Sequence, residues 1–334
     1  MPKHIGLDLG TSNTRMFVKG KGIILRTPTV VTIDKYSEEV VALGREAKQM
    51  IGKTPSNMEA YRPIRDGVVA DFEVAAMMLH EHFERTGVMS LFNRPVVLVS
   101  TPENCTEVER IAVQDAIFAA GAKAVGMVRS SIAAAVGAGL NINSHRGCMI
   151  VDIGGMTQVA VISSGGIVRS KALKLGGDKL DAAIVNNLRN KRDMFIGEVS
   201  AEMIKVRLGA ALPDVNRGAL EVSGRNVKLK CAQTIRVTSE DVYRATHGAF
   251  DAICNTIIRV LESTPPELAG DISDYGIMLV GGGANVQGIA HLINQKTRLR
   301  VTVARDPMDC ECIGIGRLIE HPSIIPDGIL YKNR

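Results

Sequence analysis

VDIGGMTQ, residues 151–158, and GLDLGTSN, residues 6–13, share one order of residues: an apolar run, an aspartate, a glycine turn, then small polar side chains. In each, a β-rich segment delivers a carboxylate (Asp8, Asp152) to the turn, and a second apolar segment follows, RMFVKG from Arg15 and QVAVIS from Gln158. Glycine and small polar residues let successive backbone N–H groups converge on an anion. A carboxylate beside them can hold a hydrated divalent cation that neutralises phosphate charge. Two such hairpins facing each other would grip a polyphosphate from both sides, with Asp8 and Asp152 flanking the metal. A third glycine turn, LVGGGANVQGI from Leu279, follows another strand and opens a helix, so its backbone can approach a base, ribose or phosphate closely. Each loop alone reads as a tight turn in an α/β chain; three in this order and spacing form a far more specific pattern.

A chain of 334 residues exceeds what one hydrophobic core usually supports, so two lobes are expected. With 46% apolar and 22% charged residues it has the composition of a globular protein and not of a disordered one. The formal net charge of +5 is small for this length and the Lys and Arg are dispersed, which argues against a nucleic-acid partner. Six cysteines scattered through apolar or loop contexts, with no signal peptide, fit free thiols in a reducing cytoplasm, and Cys310-Glu311-Cys312 lacks the second ligand pair a zinc site needs. No apolar run is long enough to cross a bilayer.

Short apolar runs (His4 to Leu9, Met16 to Val18, Val96 to Ser100, Met149 to Asp152, Val159 to Ile162, Ile277 to Val280, Val301 to Ala304) alternate with helical patterns. These are Val74 to Arg85, Thr106 to Ala120, Ile132 to Gly139, Gly177 to Asn190, Ser200 to Leu208, Ser239 to Ser263 and Val286 to Lys296. The alternation predicts an α/β fold. SEDVYRA from Ser239 predicts a serine cap with acids in the first turn, and Pro265 and Pro266 mark that helix's end. Alternation in Leu220 to Val237 predicts a hairpin turning at Gly224.

The chain resembles the MreB family of bacterial actins, within the actin, Hsp70 and sugar-kinase superfamily. The resemblance runs from IGLDLGTSNT through KGKGIIL, ALGREAKQMIGKTPSN, RPIRDGVVADF, VVLVSTPENCTEVER, MIVDIGG, SAEMIKVRLG and STPPELAGDI to IMLVGGGANVQGI. RPIRDGVVADF and IGKTP carry most of it, since neither has a general turn-forming rationale. The resemblance implies an actin-like ATPase fold, two related lobes each with a central mixed sheet flanked by helices, with ATP and Mg2+ in the cleft and protomers stacked head to tail. Its lobes would be 1–145 with 305–334, carrying a small subdomain at about 33–66, and 146–304, carrying another at about 180–240. It places Gly10, Thr11, Ser12, Asn13 and Thr14 in the first phosphate loop and Gly154, Gly155 and Thr157 in the second. Glu202 and Lys205 would meet ribose and base, Gly281, Gly282, Gly283 and Ala284 the adenosine, and Asp8 and Asp152 the metal through water. Read plainly, Glu202 and Lys205 are a surface helical pair worth a few tenths of a kcal/mol.

Departures from the family pattern bear on hydrolysis. Where members carry an IEEPMAAAIG-like stretch this chain has VRSSIAAAVG, so the carboxylates that would orient the attacking water are replaced at Arg129 and Ser130. Losing them removes a factor of about 10² to 10⁴ of general-base assistance. Arg129 would instead aim a fixed positive charge at the phosphates. DIGGMTQ is one residue shorter than the family's DIGGGTTE, with Met156 in place of glycine and Gln158 in place of an acid.

VMSLFNRP offers Val88, Met89, Leu91 and Phe92 as a membrane loop, as in the family, against the alternative of a loop folded onto the core. The chain begins directly at its first strand, so any attachment is expected to be peripheral at the inner face of the cytoplasmic membrane and helped by polymer avidity. The expected function is a filament-forming cytoskeletal protein that determines cell shape by organising cell-wall synthesis. Its partners would be itself, cell-wall elongation membrane proteins and MreB paralogues. The alternative is a nonpolymerising pseudo-ATPase regulator acting with an intact paralogue.

Overall fold

The computed structural model describes residues 2–90, 93–325 and 329–333. Two large mixed sheets are built on one plan. In the first, His4–Leu9 pairs antiparallel with Asn13–Val18, and that strand with Gly22–Pro28. On its other edge His4–Leu9 pairs parallel with Val96–Thr101, which pairs parallel with Ala124–Arg129. In the second, Cys148–Ile153 pairs antiparallel with Thr157–Ser163, and that strand with Gly166–Leu173. Its other edge pairs parallel with Ile277–Val280, which pairs parallel with Val301–Val303. Tyr331–Asn333 adds a sixth, antiparallel strand to the first sheet only.

The repeated hairpin in the sequence is therefore the seed of a repeated sheet. Short turns can join only antiparallel neighbours, whereas the parallel ones need crossover helices, and Phe72–Arg85 and Glu107–Ala119 serve the first sheet in this way. Thr106 starts the second of these with a reciprocal capping box to Glu109. The central strands are apolar on both faces because both faces are covered. Val151, Val159, Val161 and Leu279 pack on Phe250, Ile253 and Ile257 of the helix Ser239–Glu262. Their neighbours Ile150, Ala160, Ile162 and Val280 face the other way, into a cluster shared with Leu98 of the first sheet.

That shared cluster joins the two sheets through a helix pair, Ser130–Gly137 and Cys310–Glu320. The pair packs backbone on backbone: a Cβ on Gly137 would lie 1.7 Å from the Cys310 carbonyl oxygen, and one on Gly314 1.7 Å from that of Ala133. Two smaller units flank the sheets. One is the sheet Val31–Asp34, Val40–Leu43 and Met58–Tyr61 with the helix Arg45–Met50. The other is the sheet Met194–Phe195, Ala219–Asn226 and Ala232–Thr238 with the helices Gly177–Arg192 and Glu198–Leu208.

Two local expectations are corrected. Gly224 is not the hairpin turn: it pairs with Gln233 inside the ladder, and the chain reverses between Asn226 and Ala232. Glycine is required there because a Cβ would meet the Phe195 carbonyl oxygen at 2.5 Å. The long helix is capped by Thr238, whose hydroxyl accepts from Asp241 N–H, and not by Ser239. Of the expected membrane loop, Val88 is buried and Met89 is half-buried against the core beneath Gly121; Leu91 and Phe92 lie outside the described residues.

Candidate functional site

The two leading strands end side by side, and a cleft of about 300 Å³ opens where they do. Asp8 and Asp152 line it from the two sheets, and behind each comes its loop. Gly10, Thr11, Ser12 and Asn13 fill the first, four residues between the paired Leu9 and Thr14. Only Gly154, Gly155 and Met156 separate the paired Ile153 and Thr157 in the second, so it is one residue shorter than its counterpart. The loops touch: a Cβ on Gly155 would sit 2.6 Å from Thr11 Cβ. The N–H groups of Thr11 and Ser12, outside the ladder, donate to no backbone carbonyl among the described residues, as an anion cradle requires. In the second loop Gly154 N–H is already given to the Met156 carbonyl.

Gly281, Gly282 and Gly283 line the cleft from the end of Ile277–Val280, as a 3₁₀ turn over Gly282–Asn285. Gly281 has φ +82°, and a Cβ there would lie 2.2 Å from Asp152 Oδ1, so only glycine lets this turn approach the carboxylate.

Charge at the floor of the cleft is lopsided. Arg15, directly across the hairpin from Asp8, donates to its carboxylate at 3.0 Å and to Asp309 at 3.0 Å. Asp152 is 9% exposed and makes no ion pair among the described residues, feeling the Arg15 charge only from a distance. Glu311, from the first turn of Cys310–Glu320, adds a third carboxylate to the lining. Burial pushes Asp8 up to about 7, with Glu311 raising it further and Arg15 pulling it down. Asp152 is raised for the same first two reasons.

The altered region has its own geometry. Arg129 does not reach the cleft: its guanidinium donates to Glu103 at 3.0 Å and is largely in water. The expectation of a positive charge aimed at the phosphates is thus corrected, because the buried Glu103 carboxylate captures it. The same carboxylate accepts from Ser131 N–H, and burial raises its pKa. Ser130 and Gln158 do line the cleft, and Gln158 Oε1 accepts from Glu103 N–H at 2.9 Å.

Glu202 and Lys205 line the cleft as well but do not pair with each other. Glu202 takes Lys48 from the small unit opposite, and Lys205 donates to Asp181 at 2.8 Å and to the Gly177 carbonyl at 3.0 Å. Burial raises Asp181 to about 6 against the pull of Lys205.

Besides Arg129, three expected residues are not brought to the cleft. Thr14 is turned to Thr29 at 3.0 Å, Thr157 donates to the Leu175 carbonyl at 2.8 Å, and Ala284 packs in the core. Arg15, Glu103, Lys48 and Glu311 were not anticipated. Arg15 was detectable, since the antiparallel register of the hairpin sets it opposite Asp8; the others meet the site only through tertiary contact.

The family model described as MreB/Mbl protein matches residues 2–326. The chain is 41% identical over 325 residues to the cell shape-determining protein Mbl of Bacillus subtilis, covering 97% of this chain and 98% of that one. It is 41% identical over 323 residues to MreB of Escherichia coli K12, covering 95% and 93%. The crystal structure of MreB5 of Spiroplasma citri bound to AMPPNP superposes with a TM-score of 0.90 at 33% identity, covering 96% of each chain. The MamK double helical filament, at 22% identity and a TM-score of 0.80, shares the fold. The chain therefore belongs to the MreB/Mbl family of actin-like cell shape-determining proteins.

Proposed function

We propose that the chain binds ATP with Mg2+ in this cleft, assembles head to tail into filaments at the inner face of the cytoplasmic membrane, and splits ATP inefficiently. The observation that carries the reading is the convergence of two aspartate-led loops and the Gly281–Gly283 turn on one cleft. The S. citri relative crystallised with AMPPNP and with ADP supports it.

The residues present fit a magnesium ion. Asp152 is a buried carboxylate without a cation, Asp8 stands across from it, and no cluster of three ligating side chains forms among the described residues. Such a set suits a hard cation that keeps most of its waters and is held by one or two carboxylates. When bound, the ion would neutralise phosphate charge. The chain's own part is to present the free N–H groups of Thr11 and Ser12, to let Gly281 approach closely, and to keep Glu202 and Lys205 on the nucleoside side. Neither Ser130 nor Gln158 is a base strong enough to draw a proton from water, which supports slow hydrolysis.

The lobes we assign are 1–145 with 305–334 and 146–304, in keeping with the two sheets. A membrane contact through Met89, Leu91 and Phe92 remains part of the proposal, with Met89 half-buried against the core. The shortened second loop favours one further reading, a nonpolymerising regulator of an intact paralogue. Sedimentation and electron microscopy of the full chain with anionic liposomes, with and without ATP and magnesium, separate the two. Filaments or sheets on the vesicles are expected; persistent monomers would give the regulator.

A further inference from the structure

Gln158 and Ser130 are 6% and 3% exposed, yet both line the cleft. The orientation of the Gln158 amide is fixed by chemistry. Glu103 N–H can only donate, so the group facing it is Oε1, and the NH2 must point the other way. That NH2 donates to no described residue, and the Ser130 hydroxyl likewise has no partner among them. Two hydrogen-bonding groups thus open onto the cleft with no protein partner among the described residues, in place to meet acceptors that a ligand supplies.

Their position says which part of a ligand they meet. Asp152 is flanked in the sheet by Gln158 on one side and by Val280, leading into Gly281, on the other. Gln158 therefore stands across Asp152 from the glycine turn, at the end of the cleft away from the nucleoside.

We propose that the Gln158 carboxamide and the Ser130 hydroxyl donate to the terminal phosphate of a nucleoside triphosphate, so that the cleft holds a triphosphate in preference to a diphosphate. This rests on the nucleotide reading above and adds discrimination at the γ-position. An acid at residue 158 would repel phosphate oxygens and could take a proton from water; the amide attracts the former and cannot do the latter. One substitution thus favours retention and disfavours cleavage.

Calorimetric titration of the full chain with AMPPNP and with ADP, each with magnesium, tests it on the wild type, Gln158→Glu and Ser130→Ala. Gln158→Glu keeps the side-chain volume and the oxygen that Glu103 N–H needs, and replaces the donor with a charge that repels phosphate. It should lower affinity for AMPPNP relative to ADP about tenfold, the size of a charge-assisted hydrogen bond, and leave ADP affinity within about twofold. Ser130→Ala should lower the same ratio about threefold. If ADP binds and both variants keep the wild-type ratio, the proposal is overturned while the nucleotide site stands. If neither AMPPNP nor ADP binds the wild type, the nucleotide reading falls and the proposal with it.

Discussion

Lys48 and Glu202 form an ion pair across the mouth of the cleft, joining the helix Arg45–Met50 of one small unit to Glu198–Leu208 of the other. Arg62 and Glu198 make a second such link. Glu202 also lines the cleft, so the residue that closes the mouth is one that a bound nucleoside would touch.

Lys48→Ala should therefore speed release of a fluorescent ATP analogue about two- to fivefold, the range set by a partly solvated ion pair. Thermal stability should hardly move, since neither partner is in a core. An unchanged release rate would separate the mouth from nucleotide exchange.

Gly281→Ala should cost about 1–3 kcal/mol in urea denaturation, because φ is +82° and the new Cβ would strike Asp152 Oδ1. Nucleotide binding should be lost under conditions where the variant remains folded. Gly282→Ala is the control, as a Cβ there meets nothing within 4 Å.

Arg129→Ala should destabilise the protein by about 1–2 kcal/mol. Glu103 is buried and would lose its cation, but the guanidinium is largely in water, which keeps the cost below that of a fully buried pair. Glu103→Gln in the same background should recover part of the loss, a coupling that a double-mutant cycle reads directly.

Asp8 and Asp152 carry protons in the folded chain at pH values where the unfolded chain, with carboxyls near about 3.9, has released them. Between about pH 4 and the Asp8 value of about 7, the nucleotide-free protein should gain stability as pH falls and lose it as pH rises. Thermal melting should accordingly be higher at about pH 5.5 than at about pH 7.5, and Glu311→Gln should narrow the gap by removing a carboxylate that raises both groups. A melting temperature that rises with pH would contradict this assignment.

The sequence revealed most where local chemistry decides the structure. Asp8 and Asp152 could be placed at strand ends because a glycine turn between apolar runs permits little else, and the third turn followed from the same rule. The second loop has three residues between Ile153 and Thr157 where the first has four between Leu9 and Thr14, a difference that GGM against GTSN makes legible in the sequence. Gly224 misled because its requirement comes from a neighbouring strand, Phe195, and not from its own turn. Arg129 misled for a similar reason: its position in the family pattern faces the phosphates, but Glu103, distant in the chain, redirects the side chain. Lys48 and Glu311 were invisible because nothing near them in sequence marks an approach to the cleft.

The central claim is that the cleft retains ATP without the means to split it readily. Purified full chain should be mixed with ATP and magnesium, and bound nucleotide and free phosphate followed together beside an intact bacterial actin. The account predicts bound nucleotide recovered as ATP, with phosphate release slower than that of the intact actin by about 10² or more. An empty protein, or phosphate released as fast as from the intact actin, would contradict it.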